Sequence, residues 1–237
     1  MISKIKLVMI ILISMIVFQG TFASMAACEK NYEGCPKSAK DLPPLTVEHN
    51  GEKRVVSLCQ AFDFHGNSCP GATMAFMALR YGLELLYDDE VPVMEDLLII
   101  SRAPGGPMDL LDLLMKGDNH AARTWPPEGI TRGRENFVFQ FMRKSTQEGV
   151  TIKLRKEMWP DDWFILRDKK KAGTITDQEK NKMKQDRAYV VNQFPGKSFS
   201  ELFETPEEYR FVAWGHLEPG EMDKNIRKYR RELKQKN

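Results

Sequence analysis

Two kinds of apolar spacing follow each other along the first half of the chain. At positions 72–86, apolar residues recur every three or four residues, which predicts a buried amphipathic helix. Positions 55–64 alternate and then become aromatic, which predicts a strand that ends before Gly66. Positions 97–100 form a continuous apolar run of strand length, and a loop rich in proline and glycine joins them to a helix-like run at positions 108–115.

The second half of the chain predicts a hairpin followed by helices. Phenylalanines alternate with other residues at positions 137–142, and a period of two returns at positions 150–154 after a turn. Charge dominates positions 167–187, which predicts either a solvated helix or a connecting arm. Three capping-box patterns predict helix starts and make the last third mostly helical: Thr176 with Glu179, Ser198 with Glu201, and Thr205 with Glu208.

The first 26 residues have the three regions of a secretory signal peptide. Lys4 and Lys6 form a basic leader, positions 7–18 are apolar almost throughout, and positions 24–26 offer a cleavage site. The apolar stretch is shorter than the roughly 20 residues that span a bilayer, so we expect export to the periplasm. In the alternative, Cys28 is the acylated cysteine of a lipoprotein, and only then would the protein be held at a membrane.

Charge and length narrow the classes of function. The chain has 35 basic and 33 acidic residues, and loss of the two leader lysines makes it formally neutral, so we expect no nucleic-acid partner. We expect an irregular N-terminal segment at positions 27–49, a core at 50–165 and a mostly helical C-terminal extension at 166–237. In an oxidising compartment Cys28 and Cys35 could form a disulfide, unless Cys28 carries lipid.

Reactive side chains are concentrated at positions 64–71. This segment holds His65, Asn67 and Cys69, with two glycines, immediately before the predicted helix. Pro70 suits the first helical position, which places Cys69 at the N-cap, where free backbone amides and the helix dipole favour a thiolate. His65 and Cys69 are then either metal ligands or a nucleophile with its base. The plainer alternative is a buried thiol near a turn histidine.

Residues 64–71 resemble the Phe-His-Gly-His-x-Cys-Pro-Gly signature of the FmdE family, which takes its name from formylmethanofuran dehydrogenase. The resemblance extends over roughly residues 50–156 and implies an α+β core. It also implies a pocket for a divalent transition metal, with zinc as the first candidate, commonly within a dimer. His65 and Cys69 carry over as ligands, whereas Asn67 replaces a second histidine of the signature and Gly106 replaces a frequent second cysteine.

Asp109 and His216 are further candidates for the metal shell, together with Asn67 through its carbonyl oxygen. Asp109 stands at the start of the second predicted helix, where a carboxylate can bind a metal, accept a proton or simply favour the helix N-terminus. His216 lies beside an aromatic residue and a glycine, either as a ligand or in a surface turn. A bridge between Cys59 and Cys69 would remove the thiolate, and we expect no such bridge.

Three functions from different classes follow from these patterns. The leading hypothesis is an exported metal-binding protein in which His65 and Cys69 hold Zn²⁺ or another divalent transition metal, and Asn67, Asp109 or His216 completes the shell or contacts a ligand. The second is a thiol-dependent enzyme with Cys69 as nucleophile and His65 as base. The third is a metal-free accessory protein that binds a partner. The expected partners are a metal or small-molecule ligand and a second copy of the chain.

Overall fold

The computed structural model describes residues 34–124 and 129–210, together with residues 231, 234 and 235. In chain order, the α-helices are α1 (Lys37–Lys40), α2 (Leu58–His65), α3 (Pro70–Tyr87), α4 (Gly106–Lys116), α5 (Trp163–Ala172), α6 (Asp177–Gln193) and α7 (Phe199–Leu202). The strands are β1 (Leu45–His49), β2 (Glu52–Val56), β3 (Leu97–Ser101), β4 (Val138–Arg143), β5 (Glu148–Lys153) and β6 (Glu207–Arg210). This combination of helices and antiparallel sheets confirms the predicted α+β class.

The main sheet has four antiparallel strands in the order β3-β4-β5-β6, and β1 pairs with β2 in a separate hairpin. Ile99 of β3 lies opposite Phe141 of β4, which in turn lies opposite Val150 of β5. Along β4, Phe139 and Phe141 are fully buried, whereas Gln140 between them is exposed. The alternation that predicted a hairpin therefore turns one face of the sheet towards the core.

Helix α3 covers the buried face of the main sheet, where it packs against β4, β5 and helix α4. It confirms the helix predicted at positions 72–86 and has Pro70 at its first position. The ring of Phe141 lies so close to Gly82 that a side chain at this position would overlap it. Small residues on the inner face of α3 thus allow the helix to approach the strands that support the site.

The strand predicted at positions 55–64 is wrong beyond Val56, because helix α2 begins at Leu58. Ser57 and Gln60 form a capping box at its start. The Ser57 hydroxyl accepts a hydrogen bond from the Gln60 amide at 3.2 Å, and the Gln60 side chain accepts one from the Ser57 amide at 2.7 Å. Leu58 and Phe62 are then buried at the four-residue spacing of a helix.

The charged segment at positions 167–187 is divided between α5 and α6. The capping boxes at Thr176 and Ser198 start α6 and α7 as predicted. The helix expected after Thr205 is wrong, because residues 207–210 form β6 along the edge of β5. There the Tyr209 and Thr151 hydroxyls are hydrogen-bonded at 2.8 Å. Among the described residues, none of the helices is both long and apolar enough to cross a bilayer.

A disulfide joins Cys35 to Cys59, with 5.6 Å between their Cα atoms. The expected pairing of Cys35 with Cys28 is therefore wrong; Cys28 itself lies outside the described residues. The reason is spatial, since Cys59 is the second residue of α2 and the N-terminal segment packs against that helix. Cys69 is free, in agreement with the expectation that it does not bridge Cys59.

Candidate functional site

His65 and Cys69 occupy the facing ends of two consecutive helices. Helix α2 ends at His65, and Gly66 reverses the chain with a φ of 86°, a conformation that glycine adopts without steric cost. After a short turn, Cys69 forms the N-cap of α3, as the proline at the next position predicts. The two side chains are close enough that each shifts the pKa of the other.

Asp109, in the first turn of α4, joins this pair through the imidazole. Its Oδ2 lies 2.5 Å from Nδ1 of His65 and 2.7 Å from Nη2 of Arg123. The His65 and Asp109 side chains are only 20% and 17% exposed, so water screens their interaction less than it would at the surface. Because Asp109 takes Nδ1, the other ring nitrogen, Nε2, is the one left for a further partner. The result is a Cys69–His65–Asp109 cluster.

The charged forms of His65 and Cys69 stabilise each other. The Asp109 carboxylate and, after it, the Cys69 sulfur raise the pKa of His65 from 6.5 to about 9, against the opposing effect of burial. Burial by itself raises the pKa of Cys69. The hydrogen bond and charge of His65 and the amides of Ala72 and Gly71 outweigh burial, so the net pKa of this thiol is lowered. These directions favour a thiolate–imidazolium pair near neutral pH.

Arg123 holds Asp109 in place from the segment after α4. Its Nη2 donates a hydrogen bond to the carbonyl oxygen of Phe64 at 3.0 Å, and its guanidinium lies 4.6 Å from the centre of the Phe64 ring. His120 stacks on the same ring with 4.3 Å between centroids. No local pattern in the sequence marks Arg123 as part of the site, because it lies in an ordinary polar stretch.

Asn67 is bonded to a residue of α6 rather than to the cluster. Its Oδ1 accepts a hydrogen bond from Nη2 of Arg187 at 3.3 Å. Arg187 also donates to the carbonyl oxygen and to the hydroxyl of Ser68, both at 2.9 Å. Helix α6 therefore clamps the turn between His65 and Cys69, and the oxygen that was expected as a metal ligand is already in use.

Gly106 is required by the close packing of α4 against the N-terminus of α3. A Cβ at this position would lie 2.5 Å from Sγ of Cys69 and 2.9 Å from the backbone nitrogen of Ala72. At the position where the resembled family frequently has a second cysteine, the absence of a side chain thus leaves room for the sulfur of Cys69.

A cavity of about 80 Å³ opens next to His65 and Cys69. Arg132 and Arg167 line it, and neither arginine was a candidate from the sequence. Prolines and glycines form much of the remaining wall, and aromatic rings form the rest of it: Phe137, Trp159, Trp163 and Phe164. The cluster is therefore positioned to act on a molecule bound beside it.

Among the described residues, the donor set falls short of a complete zinc shell. Across residues 34–124 and 129–210, no group of three or more His, Cys, Asp or Glu side chains is arranged to hold a metal ion. Asp109 is bonded to His65 and an arginine, and Asn67 to Arg187. His216 lies outside the described residues. The structure thus brings His65, Cys69 and Asp109 together but does not join Asn67 to them.

Comparison with known families agrees with the resemblance in the signature. The family described as "FmdE, Molybdenum formylmethanofuran dehydrogenase operon" matches residues 64–204, from the phenylalanine of the signature to beyond α7. No protein matched in a search of curated proteins. The family match covers more than half of the 237 residues, and it includes His65, Cys69, Asp109 and the cavity arginines. The chain therefore belongs to the FmdE family.

Proposed function

We propose that this protein is a thiol-dependent enzyme in which Cys69 is the nucleophile, His65 its acid–base partner and Asp109 the group that orients the imidazole. The observation that carries the proposal is the Cys69–His65–Asp109 cluster, in which Asp109 is bonded to His65 and Cys69 lies at a helix N-terminus beside an open cavity. A nucleophile, a base and a third group that orients the base are the parts that covalent thiol catalysis requires. A merely structural cysteine would need none of them.

The charge state of the pair suits an acyl-transfer reaction. The thiolate attacks the electrophilic carbon of an acyl group and forms a C–S bond, and the leaving group departs with the proton of the imidazolium. A water molecule then gives a proton to the neutral imidazole and attacks the thioester, which releases the acid and restores the thiolate. Asp109 stabilises the imidazolium in both halves and keeps Nδ1 occupied, so that Nε2 carries the transferred proton.

Alkylation of Cys69 across a range of pH tests this proposal. Iodoacetamide should modify the intact protein at a pH well below the ordinary thiol pKa of about 8.5, with the modified residue identified by mass spectrometry. His65→Gln should move the profile to higher pH, because it removes the positive charge beside the sulfur. A wild-type profile like that of an ordinary thiol, unchanged in His65→Gln, would refute the proposal.

Metal binding is the second candidate, and one contact favours it specifically. A histidine that ligates a metal usually donates its other ring N–H to a carboxylate, as His65 does to Asp109. His65 Nε2 and Cys69 Sγ would be the two protein ligands, with zinc as the first candidate, and a bound metal would supply Lewis acidity at this position. Metal analysis of the native protein and of a His65→Ala/Cys69→Ala variant tests this. Equally low metal content in both would exclude it.

We also propose that the protein is exported, acts on a small-molecule ligand and forms a homodimer. The Cys35–Cys59 disulfide supports an oxidising compartment, since such bonds rarely persist in the cytosol. Mass spectrometry of the native N-terminus tests export: cleavage near residue 26 or a lipid on Cys28 is expected, and an intact leader would contradict it. Light scattering of the purified protein tests the dimer, and a monomer at micromolar concentration would exclude it.

A further inference from the structure

Two arginines face the cavity without an acidic partner. Arg132 and Arg167 both line it beside Cys69, and neither forms an ion pair or a side-chain hydrogen bond with the described part of the chain. This contrasts with the other arginines around the site, since Arg123 is paired with Asp109 and Arg187 is bonded to the turn. The cavity therefore carries two guanidinium groups that are not held in ion pairs by the described residues.

The two positive charges line the same cavity. Partial desolvation and then the charge of Arg132 lower the pKa of Arg167, while the charges of Cys69 and Asp168 act in the opposite direction. Two like charges that share a cavity favour an anion between them, and guanidinium groups suit the flat, two-oxygen geometry of a carboxylate. An anion bound there would also lie near the sulfur, because Cys69 lines the same cavity.

The rest of the wall favours an apolar group. The rings of Phe137 and Trp159 pack edge to face with 4.5 Å between centroids, and Phe164 lies beside Trp159 at 6.3 Å. The volume of about 80 Å³ would hold several water-sized groups, at about 10–15 Å³ each. The size, charge and lining of the cavity together describe a small organic acid with a short apolar part.

We propose that the cavity recognises the carboxylate of a small organic acid between Arg132 and Arg167 and holds its electrophilic carbon at Cys69. The inference rests on the proposed function, because it names the class of substrate on which the thiolate acts. The arginines serve as specificity residues: they attract and orient an anionic molecule, and the aromatic wall contacts its apolar part. A neutral analogue of the same size would not be attracted or oriented by the two arginines.

Competition between two alkylating reagents tests the charge preference. Iodoacetate and iodoacetamide are nearly the same size, but only iodoacetate carries a carboxylate. The ratio of their rates at Cys69 should exceed the ratio for the neutral thiol 2-mercaptoethanol by about tenfold, a typical size for electrostatic steering into a cleft. An Arg132→Gln/Arg167→Gln variant should return the ratio to that of 2-mercaptoethanol. Lys170→Gln removes one positive charge from the same helix as Arg167, outside the cavity, and should leave the ratio unchanged.

The outcomes separate this inference from the function on which it rests. A slow reaction of Cys69 with both reagents, with the pH profile of an ordinary thiol, would refute the nucleophile and with it the subsite. A fast reaction with iodoacetamide, together with a rate ratio equal to that of 2-mercaptoethanol, would refute the subsite alone. An equal decrease of the ratio in Lys170→Gln would also overturn it, by showing a general effect of charge. Because an unfolded Cys69 would itself give the rate ratio of an ordinary thiol, the double variant is compared only if its iodoacetamide pH profile still matches that of the wild-type protein.

Discussion

Replacing Asp109 with asparagine should lower the pKa of His65 and reduce the acidity of Cys69. The carboxylate is the largest contributor to the rise of the His65 pKa from 6.5 to about 9, and the whole rise corresponds to about 3 kcal/mol. Asparagine keeps the size of the side chain but removes its charge. We therefore expect His65 in Asp109→Asn to titrate within about one pH unit of 6.5 and the alkylation profile of Cys69 to move to higher pH.

Histidine NMR titration measures the first effect directly, and His65→Gln identifies the signal among those of the four histidines. Asp118→Asn is a suitable control because it removes an exposed carboxylate just after α4 without touching the cluster. An unchanged His65 titration in Asp109→Asn would refute the role given to the carboxylate. So would an equal displacement in Asp118→Asn, since this would indicate a general effect of net charge.

The raised pKa of His65 also makes the stability of the protein depend on pH. A Cys69→Ser background isolates this effect, because the thiol no longer titrates there. A histidine whose pKa is raised by folding contributes stability that is fully present below pH 6.5 and is lost as the pH rises through its folded-state pKa, which is about 9 with Cys69 present and lower without it. The free energy of unfolding of Cys69→Ser should therefore exceed that of Cys69→Ser/Asp109→Asn at low pH, and the excess should shrink across this range. Urea unfolding at several pH values measures it, and a difference that is constant with pH would contradict the linkage.

Three further predictions concern the parts that support the cluster. The Cys35→Ala/Cys59→Ala variant should lose about 3–4 kcal/mol in urea unfolding, because the bond closes a loop with a sequence separation of 24; a loss below about 1 kcal/mol would contradict this. Gly106→Ala should lower the free energy of unfolding by about 1–3 kcal/mol and slow the alkylation of Cys69. Gly196→Ala should change neither quantity, because the space around Gly196 is open. Arg187→Met should increase hydrogen exchange at positions 67–68, and unchanged exchange there would show that the clamp is unimportant.

Local sequence patterns predicted the elements whose signals are complete within a few residues. Pro70 and the apolar spacing after it indicated helix α3 with Cys69 at the N-cap, and alternation indicated the hairpin of β4 and β5. Helix α2 was missed because its apolar run also suits a strand, although the Ser57–Gln60 capping box was a readable sign of a helix. The capping pattern at Thr205 failed for a different reason, since pairing with the edge of β5 overrides a local preference.

The residues of the candidate site also fall into those that a local motif reveals and those that come from distant segments. His65 and Cys69 are four positions apart and are visible as a motif, and Asp109 was a candidate whose role stayed open. The arginines around them come from distant segments and carry no pattern that distinguishes them from other charged residues. Only the tertiary packing brings Arg132 and Arg167 to the cavity. The reactive motif was therefore partly predictable from the sequence, whereas the arginines that line the cavity were not.

His65 and Cys69 come from one short segment, whereas Asp109, which raises the pKa of His65, comes from a distant one. A synthetic peptide with the sequence of residues 64–71 would contain both the imidazole and the thiol, yet it would lack Asp109 and the amides of a formed helix, and its sulfur would behave as an ordinary thiol. A search with the signature alone would accordingly also collect proteins in which the histidine has no carboxylate partner. Requiring an acid at the position of Asp109 would select those in which the pKa of this histidine is raised, as it is here.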